Sequence, residues 1–144
     1  MVEVKTEIHI ERAISDVWAY VAEPDHTAAW YVNIKSVEVL SPRPLGIGSQ
    51  VAFSADFLGK RLTYTYVIKE LKEGKKLVME ANEGPFPMET TYLLESIGET
   101  TTRMRLINQG TPKGFGRLMG PFVGAAMKRA NQKDLALLKK ILES

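Results

Sequence analysis

Cysteine is absent from the 144 residues and histidine occurs twice. The first absence removes disulfides, thiolate nucleophiles and sulfur-ligated metals. The second leaves His9 and His26, too far apart to form a zinc constellation, so no metal is expected. The chain also lacks a phosphate loop, a Gly-x-Ser-x-Gly elbow and a dinucleotide fingerprint, so no cofactor is expected either. Gly46-x-Gly48 precedes a strand-like run without a following helix, which makes it turn chemistry. No stretch approaches the roughly 20 apolar residues of a membrane span, and residues 1–7 hold no apolar run of the signal-peptide kind. The expectations are a cytoplasmic location and no stable membrane insertion. Net charge is scarce as well: 19 Lys and Arg against 17 Asp and Glu leave +2, too weak a field to gather nucleic acid.

What is present is ordinary globular text, 44% hydrophobic and 25% charged, of a length that one core can organise. A single domain over residues 1–144 is the expectation. The charge is uneven, with seven basic and two acidic side chains in residues 113–144, which predicts a basic helix surface at that end.

Val2, Val4, Thr6, Ile8 and Ile10 alternate with charged or polar neighbours, the period of a strand with one wet face. Ser15 before Asp16 predicts an N-cap for a short helix through Val17, Trp18, Tyr20 and Val21 that ends before Pro24. A second short helix is expected from Asp25, carrying Trp30 and Tyr31. From Asn33 to Gly110, β-branched and aromatic runs are broken at Pro42-Arg43-Pro44, Gly59, Glu73-Gly74, Gly84-Pro85 and Gly98, which predicts six strands in an antiparallel meander. After Pro112 the period changes. Phe115, Leu118, Met119, Phe122, Val123, Ala126, Met127, Ala130, Leu135, Leu138, Ile141 and Leu142 form one helical stripe, with Pro121 kinking the helix or starting its main body. Gly116, Gly120 and Gly124 share a face, which implies a close backbone approach or space left for something else.

This order gives an α+β architecture: a seven-stranded curved antiparallel sheet gripping a long C-terminal helix, with two short helices after the first strand. One helix cannot fill such a sheet, so the remainder becomes a cavity. Candidate lining residues are Trp30, Phe57, Tyr64, Tyr66, Met79, Met88, Tyr92, Asn108, Met119 and Phe122; Phe53, Met104 and Phe115 share their character, and core packing is the competing role for all of them.

The run Ile8-x-Ile10-x-x-x-Ile14-x-x-Val17-Trp18-x-x-Val21, then Trp30, Val37-x-Val39-Leu40, Gly46-x-Gly48, the strand from Tyr66 to Leu71 and Leu77-Val78-Met79 resembles the polyketide cyclase/dehydrase branch of the START-like superfamily (SRPBCC). The resemblance covers almost the whole chain through apolar and turn positions. It implies the helix-grip fold also seen in the birch pollen allergen and binding of lipids, polyketides or other hydrophobic molecules. Only some members are cyclases, aromatases or dehydratases.

The residues offer few acid/base candidates. His9 lies between Glu7 and Glu11 on a polar strand face, whereas His26 stands one helical turn before Trp30 and could look into a pocket mouth. If Gly84-Pro85 centres a hairpin, Glu80 and Glu89 face each other, forming either a cavity acid/base pair or two screened surface charges. Asp56 is a weaker candidate of the same kind. Residues 114–127 offer either a transient membrane-docking surface, helped by Lys113, Lys128 and Arg129, or a helix buried in its own sheet. Three functions follow: carriage of a hydrophobic small molecule, a cyclase or dehydratase using such an acid/base group, and an interaction module, monomeric or homodimeric.

Overall fold

Strand β1 (Val2–Ile10) keeps the alternation of its sequence, with Val4, Thr6 and Ile10 buried and Glu3, Lys5, Glu7 and His9 facing water. The structure is a computed structural model that describes residues 2–57, 59–81, 87–110 and 120–144, with the side chains of Phe57 and Pro121 outside that description. Helix α1 (Ile14–Val21) buries Val17, Trp18 and Val21. It starts one residue before the expected Ser15 cap: Ala13 is the N-cap residue and no side chain caps the end. Ile14 is drawn against the main core, and Arg12 pairs with Asp16 at 3.1 Å in the first turn, where the helix dipole favours a carboxylate. These interactions supersede the hydroxyl cap.

Pro24 opens a 3-10 turn (Pro24–His26) whose Asp25 N–H donates to the Glu23 carboxylate at 2.9 Å, and α2 (Thr27–Trp30) continues from it. Six strands follow, as the punctuation predicts: β2 (Ile34–Val39), β3 (Gln50–Phe57), β4 (Lys60–Lys72), β5 (Lys76–Ala81), β6 (Met88–Gly98) and β7 (Thr101–Gly110). Gly59 and Gly74 turn two of the hairpins with φ of 80° and 75°, a region that L side chains seldom adopt. The Gly84-Pro85 break lies outside the described residues. All pairings are antiparallel in the order β1-β7-β6-β5-β4-β3-β2, so β1 closes the meander beside β7. Register shifts at Ile68/Glu70 and Ser96/Gly98 bend the sheet around its concave face.

Helix α3 (Gly120–Glu143) lies in that concavity. Pro121 stands in its first turn, where a missing amide proton costs no intrahelical bond. A Cβ on Gly124 would meet Val2 Cγ1 at 3.4 Å, so this glycine marks close contact between α3 and β1. Phe115, Gly116, Leu118 and Met119 lie outside the described residues. The outer face of α3 exposes Lys128, Arg129, Lys133 and Lys140, the basic surface expected from composition. The inner face packs twice. Leu135, Leu138 and Leu142 join α1, Trp30, Tyr92, Met104 and Leu106 in the main core, while Val123 and Met127 join Val4 in a smaller one.

Candidate functional site: a cavity with one buried carboxyl

Between the two packed clusters α3 presents Met127, Ala130, Asn131 and Asp134, and there a cavity of about 170 Å³ remains. It exists because a small side chain and two polar ones stand where large apolar residues would complete the seam. The sheet supplies the opposite wall by strict alternation: Phe53 and Ala55 from β3, Leu62, Tyr64 and Tyr66 from β4, Met79 from β5, Met88, Thr90 and Tyr92 from β6, and Asn108 from β7. Register locks these together, pairing Phe53 with Tyr64, Met79 with Thr90, and Thr90 with Asn108. Thr27, Tyr31, Asn33 and Ile34 close one side, and Asp56 lies at the end of the β3–β4 hairpin.

The polar lining groups form a directed chain. Thr90 Oγ1 donates to Asn108 Oδ1 at 2.7 Å, Asn108 Nδ2 donates to Asn131 Oδ1 at 2.9 Å, and Asn131 Nδ2 donates to Asp134 Oδ2 at 3.5 Å. The other carboxylate oxygen, Oδ1, accepts the Val32 N–H at 2.8 Å. Asp134 is 3% exposed. Burial pushes its carboxyl up from the ordinary carboxylate range to about 6, with the Val32 and Asn131 hydrogen bonds pulling the other way. The Tyr31 and Tyr92 hydroxyls share a hydrogen bond of 2.8 Å, and burial holds both phenols well above their ordinary value. Burial likewise raises Tyr66 to about 12 against the lowering bond with Thr90. All three are neutral hydrogen-bonding phenols at physiological pH, so among the described lining residues Asp134 is the group poised near neutrality.

Of the residues singled out from sequence, Tyr64, Tyr66, Met79, Met88, Tyr92 and Asn108 meet at this cavity. Trp30 does not: it is fully buried behind the wall, its ring 4.2 Å from Tyr31 and 5.7 Å from Tyr92. Phe122 is turned outward and 68% exposed, because the inner stripe of α3 passes through Val123 and Met127 instead. Phe57's side chain and Met119 lie outside the described residues. His26 stacks on Tyr20 at 4.2 Å with Nδ1 2.9 Å from the Tyr20 carbonyl oxygen, away from the cavity lining. Glu80 and Glu89 do pair across β5 and β6, but on the face opposite Met79, Met88 and Thr90, where Lys69 Nζ approaches Glu80 Oε2 to 2.5 Å. The surface alternative describes them. Replacing Glu89 by Gln is accordingly expected to change unfolding free energy by less than about 0.5 kcal/mol and to leave cavity binding unaltered, as denaturant titration and a binding isotherm will show. Asp56 is held by Arg61, which keeps its carboxyl below the usual range.

Sequence reasoning missed Asp134, Asn131 and Tyr31. A signal existed: positions 127, 131, 134 and 138 share one helical face, and Asn131 and Asp134 interrupt an otherwise apolar stripe. Among the described residues no cluster of three or more His, Asp or Glu side chains could hold a metal ion.

Fold and cavity together define a helix-grip protein. A family model described as polyketide cyclase / dehydrase and lipid transport matches residues 1–143, and the chain belongs to that family. Among solved structures it is similar to a START superfamily protein from Mycobacterium smegmatis (14% identity, TM-score 0.86, covering 99% of this chain and 98% of that one). A protein from Thermus thermophilus is similar at 21% identity and TM-score 0.84, over 97% and 96% of the two chains. The Zhui aromatase/cyclase of Streptomyces sp. R1128 is similar at 16% identity and TM-score 0.83, over 98% and 93%. At such identities these likenesses show the fold. No curated protein matches by sequence.

Proposed function

We propose that the protein binds a hydrophobic small molecule in the cavity between its sheet and α3. The observation that carries this reading is the cavity itself, walled by Phe53, Leu62, Tyr64, Tyr66, Met79 and Met127. Burial of an apolar ligand there contributes about 25 cal/mol per Å² before ordering costs. Family membership supports the same reading. Native mass spectrometry of protein purified without detergent tests it: a stoichiometric small-molecule adduct is expected. Ala130→Phe, which places a ring into the cavity from α3, is expected to weaken binding of that molecule at least tenfold while circular dichroism is unchanged. Equal binding by both proteins would put the ligand elsewhere and end this reading.

A second reading, an enzyme of the cyclase or dehydratase kind, is favoured by Asp134, a cavity carboxyl whose pKa of about 6 suits proton exchange near neutral pH. Carriage without chemistry remains the first reading, since a single acid/base group beside apolar walls also serves recognition.

A further inference from the structure

The cavity lining carries two carboxylates, Asp56 and Asp134, and no lysine, arginine or histidine among the described residues. The two carboxylates differ. Asp56 stands at the hairpin end with Arg61 Nη2 3.3 Å from its Oδ2, so its charge is balanced. Asp134 is buried, and its partners among the described residues are an amide N–H at 2.8 Å and a side-chain amide at 3.5 Å, both neutral. A buried carboxylate with no counter-charge among the described residues costs stability, and a cationic ligand would supply that charge. Its Oδ2, whose one hydrogen bond among the described residues is the long Asn131 contact, keeps acceptor capacity, and Tyr31 and Tyr92 line the same cavity with their hydroxyls bonded to each other.

Size narrows the class further. A cavity of about 170 Å³ is close to the roughly 150 Å³ that admits benzene and below the roughly 300 Å³ at which pockets for drug-sized ligands begin. One ring fits such a space between Phe53, Tyr64, Tyr66 and Met79.

We propose that the ligand is a compact hydrophobic amine bound as its cation, with an apolar body of about one ring and its ammonium group on Asp134 Oδ2 beside the Tyr31–Tyr92 hydroxyl pair. This rests on the reading of the cavity as a ligand site and names the ligand class. An ammonium group has three donors and no acceptor, which suits a carboxylate oxygen and phenol oxygens. The pairing requires Asp134 to be ionised, so affinity falls as pH drops through about 6. Tyr31 after α2, Tyr66 on β4 and Tyr92 on β6 face the same space and stay neutral, while Asp56 on β3 stays paired with Arg61. The β1 strand meets α3 with Val2 and Val4 and turns Glu3, Lys5 and Glu7 outward; on α3 itself, Lys133 is exposed. Neither imidazole, His9 nor His26, lines the cavity, and the variant below separates any contribution of theirs.

The test is isothermal titration of the whole chain with benzylamine, benzyl alcohol and benzoate, which share one ring and differ in charge. At pH 7.5 benzylamine is expected to bind at least tenfold more tightly than benzyl alcohol, with benzoate weakest, and to lose about tenfold at pH 5 while benzyl alcohol is unchanged. Asp134→Asn should abolish the preference for the amine and keep binding of the alcohol. Benzyl alcohol or benzoate binding as tightly as benzylamine, or an amine preference that survives both pH 5 and Asp134→Asn, would overturn the amine assignment and leave the cavity reading standing. Failure of all three probes to bind would overturn both.

Discussion

Asp134→Asn is expected to stabilise the protein at pH 7.5 by about 3 kcal/mol at most, and by only a few tenths of a kcal/mol at pH 4. The carboxyl stands at about 6 in the folded protein against 3.8 as the ordinary value, a displacement worth about 3 kcal/mol. Between those two values the folded state holds more protons than the unfolded one, so stability falls as pH rises through this window. Above about 6 the whole penalty is present, and below 3.8 it has vanished. Asparagine keeps an oxygen for the Val32 N–H, which Asp134 binds at 2.8 Å, and brings no charge. Three kcal/mol corresponds to roughly 10 °C in the unfolding midpoint of a chain this size. Thermal unfolding of both proteins at the two pH values decides the matter. A wild-type protein as stable as the variant at pH 7.5 would mean that the buried charge is not held at a cost. A stabilising substitution that also removes ligand preference is the pattern of a site kept for function.

Trp30→Ala should destabilise the protein by about 3–5 kcal/mol, the usual cost of removing a large buried ring. Trp30 is fully buried, joins Leu135, Leu138 and Met104 in the main core, and backs both Tyr31 and Tyr92. Its loss therefore leaves a void behind the wall that carries the tyrosine hydroxyl pair. Trp30→Phe is expected to cost less, because a smaller aromatic ring still fills most of the site and the Nε1–H, which has no hydrogen-bond partner among the described residues, is removed. Urea titration gives both values. A loss below about 1 kcal/mol for the alanine variant would return Trp30 to the ligand-facing role read from its sequence.

The strands were legible because their side chains alternate and glycine or proline punctuates them. Leu62, Tyr64, Tyr66 and Ile68 fall on one face of β4 whatever the sheet does around them. The middle of the sheet was harder. Leu77, Val78 and Met79 are all buried, so hydrophobicity alone does not choose a face of β5, and only pairing with Thr90 and Tyr92 shows that Leu77 and Met79 look inward. The opposition of Glu80 and Glu89 was readable from their spacing about a turn, but their side of the sheet was not. On α3 the apolar stripe was plain, and the two polar interruptions that matter most were hidden in it as exceptions.

The sequence by itself determined the element order, the six strands after Asn33, the long terminal helix and, through family resemblance, the helix-grip architecture, because these depend on local periodicity and turn chemistry. The tertiary structure alone decided which residues meet. It set Trp30 behind the wall, turned Phe122 to solvent, and brought Asp134 and Asn131 from α3 against Asn108, Thr90, Tyr31 and Val32, residues far away in the chain. The physical reason is that burial and pKa are properties of what packs around a side chain, and no local pattern records which neighbours the curved sheet will supply.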